Sequence, residues 1–258
     1  MAMAEGGARF DIGRVTSRTF ELIGRNFVPF AILSLIFAGL PYIALMLALP
    51  AMSGGDPSSA SVIALVGALL SLVAGMVLQG ALTRAAVDDL SGKGVNLGAA
   101  LSTGLAILLP MIGLGLLMGL GIGIGMILLI VPGVYLALCW LVSAPVLVIE
   151  RLGIMASIQR STALTQNHRW ALLGLIVLYA IIAMVFQAIV GLAVPGGMAA
   201  MMGLPGEAGG SPIVAILLLT ILQVVTSMIA TVGIAAVYFE LRQVKDGVGV
   251  TELANVFA

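Results

Sequence analysis

The chain has 258 residues, 61% hydrophobic and 9% charged, with eleven basic and eleven acidic side chains. Soluble domains carry roughly 25% charged residues, so a water-soluble globular protein is excluded, and the even charge balance leaves no basic surface for a nucleic-acid partner. One cysteine, Cys139, and one histidine, His168, exclude a disulfide framework and most metal and hydrolytic centres, and no cofactor is expected.

Several apolar runs exceed the ~20 residues that carry a helix across a bilayer, and the short alternating strands of an outer-membrane barrel are absent. The expected fold is all-α, a polytopic bundle of six transmembrane helices with added interfacial amphipathic helices. Residues 1–9 read as a disordered tail. From Phe10 to Phe27 the charges Asp11, Arg14, Arg18, Glu21 and Arg25 recur at steps of three and four. That spacing predicts an interfacial helix over 10–25, its apolar side entering the headgroup boundary or packing on other protein. The charged leader is too long, and the apolar run behind it too extended, for a cleavable signal peptide.

Spans are expected at about 27–49, 62–83, 110–130, 134–149, 170–193 and 213–238. Pro41 is tolerated in the first because neighbouring helices and water can satisfy freed backbone groups. The stretch PAMSGGDPSSAS (50–61) has the composition of an exposed turn. Pro110 divides a short interfacial helix over 95–109 from span three. Pro132-Gly133 reads as the outer turn of the hairpin joining spans three and four, and span four as short for a full crossing. A Gly/Pro/Met loop follows span five, and residues 246–258 form a polar tail.

With this layout the N-terminus, the loops 84–96 and 150–169, and the C-terminus share one face. All eleven basic residues fall there (Arg9, Arg14, Arg18, Arg25, Arg84, Lys93, Arg151, Arg160, Arg169, Arg242 and Lys245), while the opposite face holds only Asp56 and Glu207. The positive-inside rule then puts both termini in the cytoplasm. Residues 10–245 form a single membrane domain. Within it each pair of spans follows a short helical segment (10–25, 95–109, 153–166), a three-unit helix-hairpin pseudo-repeat whose best echo is Asn26-Phe27 against the stretch Asn167 to Trp170.

No Asp, Glu, Lys, Arg or His lies inside an expected span, which counts against a coupled transporter. Ser-His-Asp, His-Glu-x-x-His, Walker and CxxC patterns are missing, so no catalytic residue is assigned. The run GIGIG at 121–125 lies in a span without a flanking strand and is no phosphate loop. Gly115, Gly119, Gly121, Gly123 and Gly125 instead read as helix-packing glycines, placing span three at the centre of the bundle or at an oligomer seam. Thr220, Gln223, Ser227 and Thr231 share one face of span six, with Gln187 and Gln79 as partners. They read as interhelical hydrogen bonds or as a polar groove for a headgroup or small solute. At the inner surface Arg14, Arg18, Arg25, Glu150, Arg151, Arg160, His168 and Arg169 are candidate contacts for phospholipid headgroups or a partner protein. Glu150, Arg151 and Arg169 are expected to form an ion-pair cluster tying 154–166 to the bundle.

VPGVYLALCW, followed by Pro145, Glu150, Gly153, Ala156, Arg160-Ser161, Leu164-Thr165 and Trp170, resembles a broad family of bacterial six-span membrane proteins. That family is named for the membrane domain fused, in some members, to glycerophosphoryl diester phosphodiesterases. IGRNFVPF near the start and VYFELR at Val237 to Arg242 resemble the family's ends. Where the family often has an Arg before the Trp of span four, Cys139 stands here, so no role for a charge carries over. The chain has no room for the soluble phosphodiesterase barrel, and the resemblance therefore implies architecture and no hydrolase activity.

Two functions fit this reading. One is a non-catalytic, lipid-interacting accessory or scaffold subunit, with membrane phospholipids and a larger complex or a homo-oligomer as partners. The other is a transporter or pore for an amphiphilic or lipid-like solute. The charge ledger makes a topological prediction: a reporter active only outside the inner membrane gives signal when fused after Glu207 and none when fused after Lys245. The reverse pattern would refute the orientation.

Overall fold

The computed structural model describes residues 10–54, 57–193 and 212–246. Among them there is no strand. The helices are α1 (Ile12–Arg25), α2 (Phe27–Ser34), α3 (Leu40–Gly54), α4 (Pro57–Leu90), α5 (Leu97–Ala106), α6 (Leu108–Leu128), α7 (Ile130–Trp140), α8 (Ser143–Glu150), α9 (Ile154–Thr165), α10 (Arg169–Ala193) and α11 (Pro212–Asp246). A π-helical turn, Leu35–Gly39, joins α2 to α3. Six stretches are long and apolar enough to cross a membrane: Phe27–Ala48, Ser61–Leu90, Leu108–Leu128, Ile130–Glu150, Arg169–Ala193 and Ile213–Asp246. The large apolar side chains left exposed along them, from Leu65 and Val66 to Ile127 and Ile189, suit a hydrocarbon solvent. The expected tails and the loop over 194–211 lie outside the described residues, as do Asp56 and Glu207.

Proline positions set the helix boundaries. Pro29, Pro110, Pro132 and Pro145 each stand third in their helix, in the first turn, where the missing N–H has no intrahelical acceptor to lose. Pro41 is different, because it follows a continuous helix. It cannot donate to the carbonyl of Phe37 and its ring crowds that carbonyl, and the preceding turn widens to the π form. Asp11 and Asn96 cap α1 and α5, accepting from the backbone N–H of Arg14 and Ala99 at 3.1 and 3.0 Å.

Several expectations need correction. Pro132-Gly133 is no turn: the chain reverses at Leu129, which is extended (φ −163°, ψ 142°), and both residues belong to the first turns of α7. Span four therefore runs the 21 residues Ile130–Glu150 rather than 134–149, broken at Leu141-Val142 ahead of Pro145. Half of its apolar window is buried, against 17% for span three, so span four and not the glycine-rich span three occupies the centre. Helix α3 extends to Gly54 and α4 begins at Pro57, so most of the expected turn over 50–61 is helical.

Each of the three short helices buries part of its surface against the bundle. In α1 the stripe Val15, Thr19, Leu22 and Ile23 is buried, packing mainly on α11 and also on α10 and α4. Helix α5 lies along α4, its Gly104 Cα set so close that an added Cβ would fall 2.6 Å from the Val77 carbonyl. Helix α9 packs on α8 and α7. Each short helix thus rests on the last helix of the preceding hairpin, and α1 closes the ring on the end of the chain. The contacts of the three short helices are cyclic.

The glycines of α6 divide by face. A Cβ on Gly125 would meet Gly133 Cα at 2.9 Å, one on Gly121 the Trp140 ring at 2.5 Å, and one on Gly115 the Met76 methyl at 3.0 Å. Gly119 and Gly123 meet nothing within 4 Å. Backbone cannot yield at Gly125, so Gly125→Ala is expected to cost about 1–3 kcal/mol by overpacking. Gly119→Ala is expected to be neutral or to gain up to ~1 kcal/mol of helix propensity. Thermal unfolding in detergent separates the two, and equal melting temperatures would contradict the assigned hairpin contact.

Candidate functional site

Charge collects where α4, α8 and α11 end. Glu240 on α11 is 2% exposed in its side chain and accepts from Arg14 Nε at 2.8 Å and Arg18 Nη1 at 2.6 Å. Arg18 also donates to Gln243 Oε1 at 3.0 Å and lies 5.6 Å from the Phe239 ring. Arg25 pairs with Asp89, and Arg84 with Asp88 one turn on. On the other side of α11, Arg160 reaches Glu150 Oε2 at 3.3 Å and also pairs with Asp246, while Tyr238 Oη donates to Glu150 Oε1 at 3.0 Å. Burial pulls the Arg160 guanidinium down, but its bonds and attraction to Asp246 and Glu150 outweigh that and hold it above the usual arginine value.

The expected tie between 154–166 and the bundle exists with other partners. Arg160 makes it to Glu150, and Ser161 Oγ and Thr165 Oγ1 add hydrogen bonds to the Cys139 carbonyl at 2.8 and 3.3 Å, near the break in span four. Arg151 is exposed and left-handed (φ 51°) at the end of α8. Arg169 packs on Tyr135, and His168 sits 5.9 Å from the Phe10 ring. Of the candidate headgroup contacts, Arg14, Arg18, Arg25 and Arg160 are therefore engaged with carboxylates of the protein itself.

The second constellation lies between spans one, two and six. A cavity of about 310 Å³ is bordered by Tyr42 and Phe37 beside the π-helical turn, by Ser71 and Gln79 on α4, and by Gln223, Ser227 and Thr231 on α11. The amides of Gln79 and Gln223 have no hydrogen-bond partner among the described residues. Interhelical hydrogen bonds, one of the two expectations for this face, do not form there. Ser227 Oγ instead donates to the Val224 carbonyl of its own helix at 2.9 Å, the local back-bonding open to hydroxyls in helices. Thr220 does not border the cavity: it is buried against Gly39 and donates to Ile216 O at 2.7 Å. Gln187 is exposed on α10, away from this cavity. Tyr42 and Ser71 were missed because they stand singly in apolar runs, although Ser71 lies eight residues from Gln79 and so on the same helix face.

Gln79 also borders a second cavity of about 360 Å³ between spans two, three, four and six, and that one shares Leu141 and Ile234 with a third against Tyr179. The line of voids passes the break in span four. Among the described residues no three His, Cys, Asp or Glu gather as a metal site would require.

Residues 115–252 match the family described as the membrane domain of glycerophosphoryl diester phosphodiesterase. The chain belongs to that family. The match begins within span three and takes in span four, α9 and VYFELR, whose Tyr238, Phe239, Glu240 and Arg242 all make contacts at the charged end. IGRNFVPF lies outside it. No curated protein and no solved structure matches the chain.

Glu240 is the family segment's most demanding residue, since its buried carboxylate is held by two arginines that remain partly exposed. Removing one partner of a buried pair costs 3–5 kcal/mol, and the exposure of Arg14 and Arg18 lowers that to about 2 kcal/mol for Glu240→Gln. The same change at Asp89, whose partner Arg25 is 64% exposed, is expected to cost under ~1 kcal/mol. Detergent melting curves of both variants check the ranking.

Proposed function

We propose that this chain is a non-catalytic, lipid-interacting membrane protein, an accessory or scaffold component of a larger membrane complex that holds an uncharged amphiphile between spans one, two and six. One observation carries the reading. Tyr42, Ser71, Gln79, Gln223, Ser227 and Thr231 surround one cavity, and no Asp, Glu, Lys, Arg or His borders it. Gln79 is half-buried and Gln223 exposed, and an amide that faces hydrocarbon without a partner is disfavoured unless water or a ligand takes its hydrogen bonds. Neutral donors and acceptors favour a hydroxylated or ester headgroup over a phosphate, which would need a cation. The apolar walls from Phe37, Ala38, Leu45 and Leu78 suit an acyl chain.

Catalysis has little support at this site, where Tyr42 is the one titratable side chain on the cavity wall and has no second acid or base beside it there. The arginine-carboxylate pairs at the charged end hold helices together and leave no pair of groups poised as acid and base. Transport of an amphiphile is the second reading, and the chain of cavities sharing Gln79, Leu141 and Ile234 favours it.

Replacing the two amides tests the proposal. Gln79→Leu with Gln223→Leu removes one half-buried and one exposed amide from an apolar surrounding, so the protein is expected to melt no lower than wild type while losing its co-purifying neutral lipid, measured by mass spectrometry of native-nanodisc preparations. An unchanged lipid complement would overturn it. A stoichiometric partner protein in the same preparation supports the accessory role, and solute flux in proteoliposomes that the double variant abolishes supports transport instead.

A further inference from the structure

A second groove, between α7 and α10, shares no lining residue with the cavity just described. It has a volume of about 570 Å³ and is lined by the apolar Val134, Leu138 and Leu173 and by Asn167, Arg169 and Trp170. Arg169 is half-buried there. Its Nη1 donates to Tyr135 Oη, its guanidinium carbon lies 4.5 Å from the Tyr135 ring centroid, and its Nε is buried without a hydrogen-bond partner.

Its electrostatic situation is unlike that of its neighbours. Arg14, Arg18, Arg25, Arg84, Arg160 and Arg242 all pair with carboxylates, whereas Arg169 has none among the described residues. A half-buried cation without a counter-charge carries an uncompensated desolvation cost that an anion would relieve. The tyrosine ring fixes the guanidinium by cation–π attraction and leaves Nη2, which makes no hydrogen bond among the described residues, to donate to an oxyanion. Trp170 beside it is 86% exposed, the amphipathic ring typical of a bilayer boundary. A free phosphate would satisfy Arg169 but leave the apolar lining uncovered. An acyl chain covers it.

We propose that the α7–α10 groove is a specific seat for an anionic phospholipid, its headgroup on Arg169 and Asn167 and one acyl chain along Val134, Leu138 and Leu173. The occupant inferred here differs in charge from the neutral amphiphile proposed above, so either site can fail without the other.

Delipidated full-length protein titrated with phosphatidylglycerol or phosphatidylcholine, and followed by native mass spectrometry, provides the test. Wild type is expected to retain one phosphatidylglycerol in preference to phosphatidylcholine. Arg169→Gln is expected to weaken that binding roughly fivefold, the effect of one interfacial cation, while Arg151→Gln leaves it unchanged. Val134→Trp keeps the cation and fills the groove, and is expected to lose the lipid as well. Equal effects of Arg169→Gln and Arg151→Gln would reduce the site to general surface charge and overturn it. So would displacement of the lipid by excess inorganic phosphate, or full binding by Val134→Trp, since either makes the acyl groove irrelevant. Should Arg169→Gln fail to fold, Val134→Trp and the phosphate competition still decide.

Discussion

Glu240 closes the molecule. A carboxylate 2% exposed at the end of the last span is tolerable only if cations meet it, and both cations come from the first helix. That requirement brings Ile12–Arg25 across the end of α11 and buries Val15, Thr19, Leu22 and Ile23 there. The other two short helices repeat the relation, α5 on α4 and α9 on α8, so the bundle is a ring of three units in which each begins on the end of its predecessor. Charges stay at the helix ends, where lipid does not have to accommodate them. Tyr238 and Arg160 extend the same network to Glu150 and Asp246, so α11 is the element to which both α1 and α9 are pinned.

Away from that end the shaping force is the backbone. Lipid offers no hydrogen bonds, so every interruption of a spanning helix must be answered within the protein. Span four is interrupted at Leu141-Val142, and the hydroxyls of Ser161 and Thr165 answer with bonds to the Cys139 carbonyl. Span one answers Pro41 by widening into a π-helical turn. Such turns displace side chains and open space. Here the space is the cavity lined by Gln79 and Gln223, and a proline in the first span is thereby linked to the cavity proposed to hold an amphiphile.

The sequence reveals faces and lengths more readily than partners. Six spans follow from hydropathy because hydrocarbon thickness is a hard constraint. Gln223, Ser227 and Thr231 follow from helical spacing, and the structure brings them to one cavity with Gln79. Gln187 and Thr220 fail for the same reason that the others succeed: spacing fixes the side of a helix, while neighbouring helices decide what that side meets. Pro132-Gly133 reads as a turn by composition, yet proline at a third helical position costs nothing, and the turn moves to Leu129. The short helices read as interfacial because amphipathicity cannot distinguish lipid from protein as the apolar partner. Pairings such as Arg18 with Glu240 and Arg169 with Tyr135 join residues far apart in the chain, and no local signal announces them.

The central claim is that a neutral, hydrogen-bonding cavity between spans one, two and six holds an amphiphile rather than serving as packing. A density map of the protein in nanodiscs drawn from its native membrane examines this directly. The account predicts elongated density between spans one, two and six, its polar end within hydrogen-bond distance of the Gln79 and Gln223 amides. A closed chamber in which those amides bond to each other or to neighbouring helices, with no density between them, would contradict it.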